Sequence, residues 1–216
     1  MATITGQRTR SALPGRDTPH DAEAIFPRRD GLLHAADTAP IARAAWRSVA
    51  SRLAGTPDVR VSRDGGRTFP ARHAGPLPAD PPAQPCTIPV YDLATGTGRM
   101  LALDLDLART ARPADDRPGQ HDREHPAAEV RAQAGDLAGL VARCGGQVLA
   151  DISPSGGRHV YVLFAAPLPW LELRDLARAV SLRYPAVDPA PMAGLSGQIS
   201  PPGARHKSGG WRLLSG

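Results

Sequence analysis

Six segments between Arg99 and Asp188 alternate between the two periodicities by which a chain buries apolar surface, and their order leaves few possible folds. "RMLALDLDLA" (99–108) alternates apolar and acidic residues with period two, as a strand does. "PAAEVRAQAGDLAGLVARCGG" (126–146) opens on Pro126, closes at Gly145 and places Val130, Ala134, Leu137, Val141 and Cys144 at helical spacing. "QVLADIS" and "RHVYVLFA" read as strands joined by the turn "PSGG". "WLELRDLARAVSLRY" is a second helix with Leu173, Leu176, Ala177 and Val180 inward, and a short extended piece follows at Val187 and Asp188. Strand, helix, strand, strand, helix, strand predicts an α+β fold: the ferredoxin-like, RRM-like split βαβ antiparallel sheet. That topology puts the first and third strands side by side in the middle and the fourth beside the first. Asp104, Asp106, His159, Tyr161 and Asp188 are then able to share one sheet face.

The flanking sequence is more irregular. Residues 1–36 are polar and without apolar periodicity, and are expected to form a flexible tail. Residues 37–87 read as a small N-terminal accessory module. A helix capped at Asp37 or Thr38, with Pro40 in its first turn and Ile41, Ala45, Val49 and Leu53 on one face, precedes a hairpin around Asp64, Gly65 and Gly66. The proline-rich segment 74–87 is expected to be a linker or covering loop. "IPVYDLATGTGRMLALDLDLA" predicts a strand, a glycine turn and a strand. Residues 88–216 form the main domain, with 109–125 as a polar loop and further extended pieces near Ile199 and Trp211. No apolar run reaches the roughly 20 residues that span a bilayer, and "MATITGQRTR" has no apolar signal core, so a cytoplasmic location is expected. Cys86 and Cys144 lie in unlike contexts and predict neither a disulfide nor a zinc site.

Charge narrows the partners. The net charge is +5, which suits a polyanion, although enrichment in Arg, Ala, Pro and Gly accounts for part of it. Lys207 is the one lysine in the chain, between Arg205, His206 and Ser208 in a loop bounded by Pro201-Pro202 and Gly209-Gly210. A lysine offers phosphate a compact charge and an arginine a planar pair of donors. The chain contains neither the phosphate-binding GxxxxGK[ST] nor a GxGxxG at a helix start.

Residues two apart on a strand point the same way, so Asp104 and Asp106 hold two carboxylates about 7 Å apart along the strand. A bare Asp-x-Asp suits a solvated strand face as well as a divalent cation. The turn "SPSGG" before Arg158 and His159 adds hydroxyl donors from Ser153 and Ser155, and Gly156 and Gly157 let backbone N–H groups approach an anion.

Together "LALDLDLA", "SPSGGRHVYVLF", "VDPAPM" and "PPGARHKSGG" resemble the archaeo-eukaryotic primase superfamily, in its bifunctional primase-polymerase branch of plasmids and integrated elements. The resemblance spans about residues 88–214. Its first motif, hydrophobic residues with Asp-x-Asp, matches Asp104 and Asp106. The second, ending in His, matches Gly157, Arg158 and His159, with Gly157 where many relatives carry Ser. The third, a hydrophobic residue followed by Asp, matches Val187 and Asp188.

The resemblance implies that Asp104, Asp106 and Asp188 hold Mg²⁺ or Mn²⁺. It also implies that His159, with Ser155 and Arg158, contacts a nucleotide and that Arg205 and Lys207 meet its phosphates. The implied activity is template-directed nucleotidyl transfer in replication of a plasmid or mobile element. The implied partners are a DNA template and primer, nucleoside triphosphates, and a helicase or further C-terminal domain not present in this chain. Preference between ribose and deoxyribose would follow from the shape around Tyr161. Two other readings are open: a catalytically silent nucleic-acid-binding or replication-initiation module with the same fold, and a small metal-dependent phosphohydrolase.

Overall fold

The computed structural model describes residues 35–70, 75–110 and 126–215. The expected tail, apart from Ala35 and Ala36, and the stretch 111–125 lie outside the described residues. The six-segment run forms β4 (Thr97–Leu105), α3 (Pro126–Arg143), β5 (Val148–Ile152), β6 (Arg158–Pro169), α4 (Trp170–Arg183) and β7 (Val187–Asp188). With β9 (Leu213–Ser215) they make a five-stranded antiparallel sheet in the order β7-β4-β6-β5-β9. α3 lies against β5 and β6, and α4 against β4 and β6.

These residues form these elements because their apolar positions have one place to go. Leu103, Leu105, Val130, Ala134, Leu137, Val160, Leu173, Ala177 and Val187 are buried in one cluster. At roughly 1.5–3 kcal/mol for each large aliphatic side chain, this cluster is the main reason the sheet and helices stay together. Two expected inward positions face out instead. Leu176 is 41% exposed and Cys144, just beyond the end of α3, is exposed. In both cases the buried stripe is narrower than the sequence period suggests.

The remaining strands build a second antiparallel sheet, in the order β2-β1-β3-β8, from β1 (Asp58–Val61), β2 (Gly75–Pro76), β3 (Cys86–Pro89) and β8 (Gln198–Ile199). Here the sequence expectations need correction. The strand expected from Ile88 begins two residues earlier, so Cys86 and Thr87 are buried strand rather than linker, and β3 pairs with β1 and β8 instead of with β4. The segment after β3 meets β4 at the Asp92–Thr97 bridge. β1 pairs with Gly75–Pro76, so Asp64, Gly65 and Gly66 sit in a wide loop and not at a two-residue hairpin turn. Burial pushes the Cys86 thiol up to about 12, so it is an inert core group.

α1 (Ala35–Leu53) starts before the expected cap and carries Pro40 within it. Trp46 and Ala50 of α1 pack with Val59, Cys86 and Ala204, and Trp46 Nε1 donates to Pro78 O at 2.9 Å. α1 thereby holds the base of a hairpin whose rungs are Gly203 N–H to Arg212 O (2.8 Å) and Arg212 N–H to Ala204 O (3.0 Å). Gly203 has φ +85°, and a Cβ there would stand 2.4 Å from Ala42 O and 2.7 Å from Trp46 N. Gly203→Ala is therefore expected to cost about 2–3 kcal/mol, through both backbone strain and displacement of α1. An unchanged denaturation midpoint for this variant would contradict the packing.

Candidate active site

A cavity of about 320 Å³ lies where the two sheets meet. Asp104, His159 and Ser155 line it from the larger sheet and its turn, Gln198 and Thr87 from the smaller one, and Lys207 from the hairpin. This volume is at the small end of the range for ligand pockets.

One row of residues runs across the larger sheet behind the cavity. Asp188 pairs with Asp104, Asp104 with His159, and His159 with Asp151. Directly paired residues project to the same face, so this row sets two carboxylates next to each other and an imidazole between two acids. Alternation places Arg158 in the next row, with Leu105 and Ile152. Arg158 therefore faces away from His159, is buried, and does not line the cavity.

The centre of the row is His159. Its Nε2 lies 3.4 Å from Asp104 Oδ1, and its Nδ1 lies 2.9 Å from the Tyr161 hydroxyl and 3.4 Å from Asp151 Oδ2. Tyr161 donates to Asp151 Oδ2 at 2.8 Å, with Ser200 O at 3.2 Å. Asp151 Oδ1 receives Arg212 Nε at 2.9 Å and Nη2 at 2.6 Å, and the His159 backbone N–H at 3.3 Å. Asp151, His159, Tyr161 and Arg212 are all buried.

Burial and the Arg212 charge push His159 towards neutrality, but Asp151 and Asp104 outweigh them and its pKa lies above the usual imidazole value. Burial raises the Asp104 and Asp151 carboxyls. For Asp104 the His159 ring reverses this, and for Asp151 Arg212 and His159 do, so both carboxyls end below the ordinary range. Tyr161 is raised well above an ordinary phenol, by burial first and by Asp151 next. It is fully buried, so it cannot shape a sugar pocket as the sequence suggested.

The three carboxylates are not equally placed. Asp104 and Asp188 are neighbours in register and about one-third exposed, at 35% and 33%. Asp188 Oδ1 accepts from Ala190 N–H at 3.1 Å and lies 3.7 Å from Arg109 Nη1. Asp106 stands just past the end of β4, where its Oδ1 accepts from Ala108 N–H at 3.0 Å in the first turn of α2 (Leu107–Thr110). Among the described residues no three acidic, imidazole or thiol groups converge closely enough to hold a metal ion. The donor set nonetheless suits a hard divalent cation. It consists of oxygens only, although Asp104 and Asp188 already have His159 and Arg109 as neighbours at 3.4 and 3.7 Å.

Two polar loops flank the row. In the turn before β6, Gly156 N–H donates to Ser153 O at 3.0 Å, and the Ser153 and Ser155 hydroxyls are 3.0 Å apart. The hairpin tip 206–210 is wedged in place. A Cβ on Gly210 would meet Pro154 Cγ at 2.9 Å, and one on Gly66 would meet Lys207 Cβ at 2.7 Å. Lys207 is exposed at this tip, and the Arg205 guanidinium lies 5.1 Å from the Trp211 ring centroid.

His206 Nδ1 lies 2.7 Å from the Ser208 hydroxyl and 3.3 Å from the Ser208 backbone N–H. Burial first, then Arg212 and Lys207, bring its pKa down to about 4. Between about pH 6.5 and 4 the unfolded chain thus binds more protons at His206 than the folded one, and stability falls as the pH falls through that window. Denaturation midpoints across it should decline for the wild type and flatten in His206→Gln. Superimposed profiles would contradict this.

Sequence reasoning did not identify Asp151 or Arg212. A lone acid inside the apolar strand "VLADI" was the available signal, but its partner lies 61 residues away. Phe69 and Gly66, from the loop after β1, were also missed as cavity lining.

No family model and no curated protein matches the chain. Among solved structures it is similar to the polymerase domain of ligase D from Mycobacterium tuberculosis in complex with DNA. The TM-score is 0.43 at 17% identity, over 93% of this chain and 81% of that one. No helix among the described residues is long and apolar enough to cross a membrane.

Proposed function

We propose that this chain is a metal-dependent primase-polymerase catalytic domain that adds nucleotides to a DNA-templated primer. The observation that carries the reading is the row Asp188, Asp104, His159 behind a cavity flanked by a Ser/Gly turn and the cationic tip at Lys207. A small cavity lined by acidic groups together with hydroxyl and cationic donors suits a triphosphate with a counter-cation. The strand order β7-β4-β6-β5 supports the ferredoxin-like core, and the sequence motifs at the same residues support the primase-polymerase branch.

In this reading Asp104, Asp106 and Asp188 hold Mg²⁺ or Mn²⁺, which neutralises charge on the reacting phosphate oxygens when bound. Lys207, with Arg205 beside it, meets the β- and γ-phosphates. The Ser155 hydroxyl donates to phosphate oxygens. His159 presents its Nε2 edge to the nucleotide. The primer 3′-hydroxyl releases its proton to solvent as its oxygen forms a bond to the α-phosphorus, the α–β bridging bond breaks, and pyrophosphate leaves. The protein contributes alignment and charge stabilisation. Replication of a plasmid or mobile element is the setting proposed.

Incubation with primed template, nucleoside triphosphates and Mn²⁺ should extend the primer. Absence of extension together with absence of nucleotide binding would remove the proposal. One observation favours the silent-module alternative: three carboxylates do not converge among the described residues. A silent module binds DNA without extending it, and Asp104→Ala leaves that binding unchanged.

A further inference from the structure

Tyr161 has one hydroxyl hydrogen and three polar neighbours. Two of these, the Asp151 carboxylate at 2.8 Å and the Ser200 carbonyl at 3.2 Å, can only accept. The hydrogen goes to one of them. The third neighbour, His159 Nδ1 at 2.9 Å, must therefore donate to the Tyr161 oxygen. Arg212 adds a second constraint. It and the His159 backbone N–H together direct three donors at Asp151 Oδ1, which leaves Oδ2 to face Tyr161 and Nδ1.

We propose that Asp151, Tyr161 and Arg212 are positioning residues that keep a hydrogen on His159 Nδ1, whether or not Nε2 also carries one towards Asp104, and hold its Nε2 edge towards Asp104 and the cavity. None of the three is needed to touch substrate. Arg212 orients Asp151, Asp151 captures the Tyr161 hydrogen, and Tyr161 accepts from the ring. Outer partners of this kind set the tautomer and angle of a functional histidine, and their loss commonly costs about 10- to 100-fold in affinity or activity. The identity of the ligand at Nε2 rests on the nucleotidyl-transfer reading, but the hydrogen placement does not.

The test is nitrogen NMR of the full chain with ¹⁵N-labelled histidine, the His159 signals being those absent from His159→Gln. In the wild type, Nδ1 should show the shift of a protonated ring nitrogen. A bare Nδ1 overturns the proposal without any further variant. In Asp151→Asn the three donors keep an oxygen at the Oδ1 position, so the new NH₂ faces Tyr161 and Nδ1. Two donors then oppose each other, and Nδ1 should change to the unprotonated type. An unchanged Nδ1 in the folded variant also overturns the proposal.

Affinity for deoxyadenosine triphosphate with Mg²⁺ should fall about 10- to 100-fold in Asp151→Asn and in Tyr161→Phe, with DNA affinity retained. The same nucleotide affinity in both variants would reduce the assembly to a structural role and sink the inference. A wild type that shows the expected Nδ1 signal and its loss in Asp151→Asn, yet binds no nucleotide, leaves the hydrogen placement standing and removes the functional reading instead.

Discussion

Asp104→Asn should lower the rate of primer extension by about three orders of magnitude, which corresponds to about 4 kcal/mol of barrier, while leaving the fold intact. The size follows from position. Asp104 has a carboxylate neighbour in register on one side and His159 Nε2 at 3.4 Å on the other, and its side chain opens to the cavity. The amide keeps the shape and an oxygen for His159 but loses the charge that a cation requires. Its effect on stability should stay within about 1 kcal/mol, because the side chain is one-third exposed and the amide oxygen can still accept from His159. Single-turnover extension alongside a denaturation curve separates the two effects. Near-wild-type extension would mean that the row of acids has another purpose.

The largest loss of stability is expected from Arg212→Ala. This change strands the Asp151 carboxylate, which is fully buried, with only neutral donors and a histidine around it. Breaking a buried ion pair from one side costs about 3–5 kcal/mol, mostly the penalty of an uncompensated charge. Replacing both partners with Asp151→Leu and Arg212→Met should recover part of that loss. Recovery stays incomplete because Tyr161 and the His159 backbone N–H lose their acceptor at the same time. Denaturation of both single variants and the double variant measures the coupling directly. Additive losses would show that the two groups do not act as a pair.

The parts of this molecule that the sequence makes legible are those with a long periodic signal. β4, α3, β5, β6 and α4 each bury an apolar stripe long enough to be read from spacing, and parity along the strands puts Asp104, His159 and Asp188 in one row. The smaller sheet has no such signal. Its strands are two to four residues long, rich in proline, and drawn from positions as distant as Val59 and Ile199. Tertiary pairing decides their conformation, which is why Cys86 and Thr87 resembled the end of a linker. The same applies within the site. Asp104 and His159 sit in recognisable local patterns, whereas Asp151 and Arg212 gain meaning only when the sheet closes and brings β5 beside β9.

A divalent cation held by acids from separate strands, next to the phosphate-facing loops, is the centre of the proposed reaction. Titration of Mn²⁺, followed by the loss of its free-ion electron paramagnetic signal with and without a nucleoside triphosphate, tests this directly. Wild type should take up the ion, more tightly with the nucleotide present, and Asp104→Asn and Asp188→Asn should each lose that uptake while remaining folded. Uptake in both variants equal to that of the wild type would contradict it.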